Sequence, residues 1–156
     1  MSRPEDSRHE TPLEILIVRV LDAPREIVFR NWVEPQHMQS WFAPSGFTTT
    51  RCEIDARPGG RWRIEYRSDD SDAAYSEYGE FRELTEPERI VFSLTQEDER
   101  GRVHLETLVK VTFAATGAKT EMTFHQTGFD TVKLRNVIAE GWGGCFQKLD
   151  LHLKDR

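Results

Sequence analysis

The sequence is short of the features that would announce a chemistry. Cysteine occurs only twice, at Cys52 and Cys145, each inside an otherwise apolar pattern. A disulfide framework needs more, and no zinc-ligand spacing is present, so free buried thiols in a reducing compartment are expected. No apolar run approaches the roughly 20 residues that span a bilayer, and no membrane association is expected. Met1 to Glu10 is polar, which speaks against a secretory leader and for a cytoplasmic location. Basic residues are not in excess: 21 Lys and Arg stand against 27 Asp and Glu, for a net charge of −6. The basic residues are scattered among acids, so a nucleic-acid surface is excluded. There is no phosphate loop, no nucleophile elbow and no internal repeat. Neither a cofactor nor a metal is expected.

What is present is a hydrophobic period that changes along the chain. Residues 1–11 hold almost nothing to bury and predict a disordered tail, which leaves 12–156 as a single domain. Leu13 to Leu21 (LEILIVRVL) is rich in branched aliphatics and predicts a strand. Asp22-Ala23-Pro24 opens a helix with Pro24 pre-set for the first turn, and Val28 and Trp32 share a face of it. Glu34-Pro35 restarts it as a second short piece carrying Met38, Trp41 and Phe42. From Phe47 the period falls to two. Trp62, Ile64 and Tyr66 alternate with Arg63 and Glu65, giving one apolar and one charged face.

Turn chemistry fixes the register. Arg57-Pro58-Gly59-Gly60, with Gly59 left-handed, sets Ile54 opposite Trp62 and Cys52 opposite Ile64; a one-residue slip would bury Glu53 and Asp55. Ile90, Phe92 and Leu94 form the inward row of a later strand. Around Gly117-Ala118, Phe113 faces Met122, Val111 faces Phe124 and Val109 faces Gln126, all on inward rows. The chain closes with Thr131 to Leu153. Wound as a helix, it places Ile138, Trp142, Cys145, Phe146, Leu149 and Leu153 on one stripe. Gly141, Gly143 and Gly144 interrupt it; Gly141 is expected to meet a neighbour closely and the other two to be exposed. The prediction is an α+β fold, a curved antiparallel sheet wrapped around a long C-terminal helix, in the order β-α-α-β-β-β-β-β-β-α.

Several segments together carry a resemblance. They are Asp22-Ala23-Pro24, Trp32 through Phe47 (WVEPQHMQSWFAPSGF), and Asp55-Ala56-Arg57-Pro58-Gly59-Gly60. Tyr78-Gly79-Glu80-Phe81, Glu86 through Phe92 (EPERIVF) and Gly141-Trp142 follow in the expected order. The chain resembles the START-like (SRPBCC) superfamily and, within it, homologues of the 90-kDa heat-shock protein ATPase activator, over about residues 13–153. Trp41-Phe42 stands where a Trp pair is common, and Gly143-Gly144 is extra. The resemblance implies a helix-grip fold, and members typically enclose a pocket for an apolar or aromatic small molecule.

On the registers above, Met38, Trp41, Phe42, Trp62, Ile64, Tyr66, Phe92, Val109, Phe124, Trp142 and Phe146 project toward one interior. Thr107 and Gln126 bring polarity there. These residues are the expected ligand-binding set, unless the rings simply fill the core. Catalysis has little support. His104 and His125 are expected on the outer face and His37 in solvent, so none suggests a metal pair. Glu80 is the one candidate acid, if a bulge at Gly79 turns it inward, although an ion pair to Arg61, Arg63 or Arg82 competes with that role. The expected function is binding of a hydrophobic or aromatic small molecule by a monomer or weak homodimer. The alternatives are a cyclase, dehydratase or hydrolase acting on an aromatic or polyketide-like substrate, and a chaperone ATPase-stimulating interaction domain.

Overall fold

The computed structural model describes residues 13–155. The expected disordered tail lies outside the described residues. Strand β1 spans Glu14–Leu21, followed by helices α1 (Arg25–Val33) and α2 (Pro35–Met38). Six strands come next: β2 (Phe47–Ile54), β3 (Arg61–Ser68), β4 (Ala74–Thr85), β5 (Arg89–Asp98), β6 (Val103–Thr116) and β7 (Lys119–Thr127). Helix α3, Val132–Lys154, ends the fold, its first turn capped by the Thr131 hydroxyl accepting from the Leu134 amide at 3.1 Å.

All strands form one antiparallel sheet in the order β1-β7-β6-β5-β4-β3-β2. The position of α1 and α2 in the chain follows from that order. β1 and β2 are neighbours in sequence but occupy opposite edges, so the helix pair carries the chain across the open end of the sheet. β2 to β7 then return as a meander, and α3 lies in the concavity. This is a helix-grip fold.

The predicted registers are present: Ile54 pairs with Trp62, Cys52 with Ile64, Val111 with Phe124 and Val109 with Gln126. At the Pro58-Gly59 turn the Gly60 amide donates to the Arg57 carbonyl at 2.8 Å, and Gly59 has φ +81°. That is the geometry a type II turn needs, and the reason glycine follows proline there. Among the described residues three bulges break the ladders. They leave over Thr50 on β2, Arg82 on β4 and His104 on β6.

The core is aromatic. Trp32 stands among Trp41, Phe92, Phe124, Trp142 and Phe146, with ring centroids 4.9 to 6.3 Å away. Trp41, Phe124 and Phe146 are wholly buried. Edge-to-face and tilted pairs such as these add about 0.5–1.5 kcal/mol each to the burial of the rings.

Two expectations about local geometry are corrected. The bulge on β4 falls at Arg82 and not at Gly79, so Glu80 keeps its place on the outer face, exposed and 3.8 Å from Arg82. Gly79 is needed for another reason: a Cβ there would lie 1.8 Å from the Ser93 carbonyl oxygen. On α3 the facing of the glycines is exchanged. A Cβ at Gly144 would meet Ser45 Oγ at 2.6 Å and Ser45 N at 3.0 Å, whereas one at Gly141 would touch only Pro44, at 3.9 Å. Lys148, one turn on, holds that loop beside Gly144, its ammonium donating to the carbonyls of Ala43, Pro44 and Phe47 at 2.8, 3.1 and 3.2 Å. Among the described residues no helix is long and apolar enough to cross a membrane.

Candidate functional site

A cavity of about 840 Å³ opens between the N-terminal half of α3, the 42–47 loop and the inner face of β3, β4 and β5. Its apolar walls include Phe42, Phe47, Tyr66, Tyr75, Leu134, Ile138 and Trp142. The rings of Phe47, Tyr66 and Tyr75 lie 5.5 to 5.9 Å apart and form one aromatic side. The loop is held in place from α3. Besides Lys148, the Cys145 thiol donates to the Phe42 carbonyl at 2.6 Å, and burial pushes that thiol far above the ordinary range. Cys145 therefore lines the cavity as an inert group.

At the sheet side of the cavity is a buried polar cluster. Tyr66 Oη donates to Glu77 Oε2, and Gln96 Nε2 donates to the same oxygen at 2.9 Å and to Tyr66 Oη at 3.2 Å. Glu77 and Gln96 are 7% and 8% exposed. Burial raises the Glu77 carboxyl pKa, against the lowering effect of the bonds from Tyr66 and Gln96. Tyr66 is pushed well up by its own burial and by the neighbouring carboxylate.

His104 stands nearby, its Nε2 3.0 Å from Asp98 Oδ2 and its ring 6.2 Å from that of Tyr75. Desolvation works to raise the Asp98 carboxyl, but the amides of Arg102 and Arg100, His104 and the Arg102 charge together hold it down to about 2. Among the described residues no three His, Cys, Asp or Glu side chains converge as a group that could hold a metal.

The family model described as activator of Hsp90 ATPase homolog 1-like protein matches residues 22–154. The chain belongs to that family. A crystal structure of a protein from Chromobacterium violaceum superimposes with a TM-score of 0.80 at 26% identity, covering 90% of this chain and 96% of that one. A Rhizobium leguminosarum protein gives 0.81 at 23% identity, covering 92% and 95%. The AHSA1 protein from Silicibacter pomeroyi gives 0.81 at 17% identity, covering 90% and 97%, and these last two speak to fold alone. No functionally curated protein matches the sequence.

Within this activator-homologue fold the predicted site residues divide into groups. Phe42, Tyr66 and Trp142 line the large cavity. Met38, Trp62 and Phe92 surround, with Phe42, a void of only about 10 Å³. That is barely the space of one water. Trp41, Ile64, Val109, Phe124 and Phe146 are core and do not line that cavity. Thr107 and Gln126 face inward but are engaged with one another: Trp142 Nε1 donates to Gln126 Oε1 at 2.8 Å, Gln126 Nε2 to Thr107 Oγ1 at 2.8 Å, and Thr107 Oγ1 to the Leu94 carbonyl at 3.0 Å.

The polar groups that face the cavity from β4, β5 and β6, Glu77, Gln96 and His104, lie outside the expected site. Glu77 and Tyr75 were accessible by counting back in twos from Phe81 through Gly79, and Gln96 by extending the Ile90, Phe92, Leu94 row. His104 was not accessible from period. The bulge makes it the unpaired residue between Val103 and Leu105, which turns it from the expected outer face to the cavity wall.

Proposed function

We propose that this protein binds a hydrophobic or aromatic small molecule in the cavity between the sheet and the C-terminal helix. One observation carries the reading. A cavity of about 840 Å³, within the size range of ligand sites, joins continuous aromatic and aliphatic walls to a single buried polar cluster, Tyr66, Glu77 and Gln96. The walls would supply affinity by burying flat apolar surface, and the cluster would fix the ligand's orientation. The aromatic core around Trp32 needs no ligand to be filled, so binding is not required for folding.

The test is a thermal-shift and tryptophan-fluorescence screen against flavonoids, polyketide-like aromatics, fatty acids and sterols. A ligand that binds only the folded state raises Tm by mass action. It should also perturb Trp142, which stands in the cavity wall. Ile138→Trp, which narrows the cavity from α3, should weaken binding while the domain stays folded. The reading fails if none of these compound classes moves either signal.

A further inference from the structure

The polar cluster has a chemical bias that narrows the ligand class. This step rests on the ligand-binding reading of the same cavity. Both donors that reach Glu77, from Tyr66 and Gln96, converge on Oε2. Oε1 has no hydrogen-bond partner among the described residues, and it is not among the sealed, unpartnered polar atoms of the core. It is therefore not sealed off, on a residue that lines the cavity. A carboxyl group more than nine-tenths buried would ordinarily be matched by a guanidinium or ammonium. None does so here, since both of its partners are neutral side chains.

The rest of the wall does not supply the missing charge. Arg19 lines the cavity from the distant strand β1 and lies 3.6 Å from Asp150. His104 is paired with Asp98. Glu140 adds a second carboxylate to the wall. The aromatic side made by Phe47, Tyr66 and Tyr75 borders Glu77, and the faces of such rings attract cations.

We infer that the cavity selects an organic cation, an aromatic or alicyclic amine whose protonated nitrogen reaches Glu77 Oε1 while its rings lie along the apolar wall. The neutral donors on Oε2 hold the carboxyl in place, and the ligand supplies the positive charge that the protein withholds. A neutral molecule of the same shape would bury the same area but give an ionised Glu77 no counter-charge, so the amine should be preferred.

A matched pair of probes tests this, 2-(2-naphthyl)ethylamine and 2-(2-naphthyl)ethanol, titrated by calorimetry at pH 7.5. The wild-type protein should bind the amine at least about tenfold more tightly, the scale of a hydrogen-bonded buried charge. Glu77→Gln should remove that preference, bringing the amine's affinity to within about threefold of the alcohol's. Should Glu77→Gln fail to fold, Glu77→Asp, which keeps the charge but withdraws it by one methylene, should lower the preference.

Equal affinity for the two probes, or a preference that survives Glu77→Gln, overturns the inference and leaves the cavity as a site for neutral ligands. Binding of neither probe overturns it as well. In that case the compound screen decides separately whether the broader ligand-binding reading stands.

Discussion

The chain of hydrogen bonds from Trp142 through Gln126 to Thr107 should be measurable as a coupled unit. Gln126 is fully buried and Trp142 nearly so, and they meet at 2.8 Å between α3 and β7. Gln126→Leu keeps approximate volume but leaves the indole N–H without an acceptor. Thr107 keeps its bond to Leu94 and is little affected. An orphaned buried donor costs about 1–3 kcal/mol, so the variant should lose about 2 kcal/mol, or about 4–8 °C in Tm for a domain of this size. Trp142→Phe removes the donor and orphans Gln126 Oε1 instead, adding the loss of ring volume.

Together the two changes remove both ends of the bond, and much of the penalty should be recovered. Urea denaturation of both single variants and the double variant should yield a coupling energy of about 1–2 kcal/mol. If the two losses add to within about 0.5 kcal/mol, the bond does not tie α3 to the sheet and the reasoning fails.

Glycine positions give two further tests. Gly59→Val puts a branched side chain at φ +81° and should cost more than about 1 kcal/mol, read from an unfolding midpoint; an unchanged midpoint would contradict the turn. On α3, Gly143→Ala meets nothing within 4 Å and should stabilise by up to about 1 kcal/mol, whereas Gly144→Ala should gain less or lose because of Ser45. The reverse ranking of Tm values would mean that the 42–47 loop does not pack there.

Titration supplies the last test. Since burial holds the Glu77 carboxyl above its unfolded range, its contribution to stability is greatest at low pH and declines as pH rises through and above that range. Wild type should lose ground to Glu77→Gln as pH rises above the ordinary carboxylate value of 4.5. Asp98 has the opposite sign, since its folded pKa is lowered to about 2. Its contribution is present above the unfolded value near 3.8 and is lost as pH falls toward 2, a loss that Asp98→Asn should abolish. Parallel stability curves for variant and wild type would refute either assignment.

The sequence by itself determined the element order, the registers of the β2-β3 and β6-β7 hairpins and the burial of one stripe of the last helix. Each of these depends on neighbours close in the chain or on a period of 2 or 3.6, and turn residues such as Pro58-Gly59 and Gly117 pin the phase. What it could not supply was which inward-facing residues border empty space. Trp41, Phe124 and Tyr66 carry the same pattern, yet Trp41 and Phe124 are packed among rings and Tyr66 lines a cavity. That difference depends on where α3 and the 42–47 loop come to rest on the sheet, and Lys148 and Cys145 set it through contacts about 100 positions away in sequence. The same holds for His104, turned by a ladder shift, and for the pairing of Gln126 with Trp142, which closed one expected polar site while Glu77 opened another. Local pattern decides which face a residue takes. Only the tertiary packing decides whether that face meets a side chain or a space.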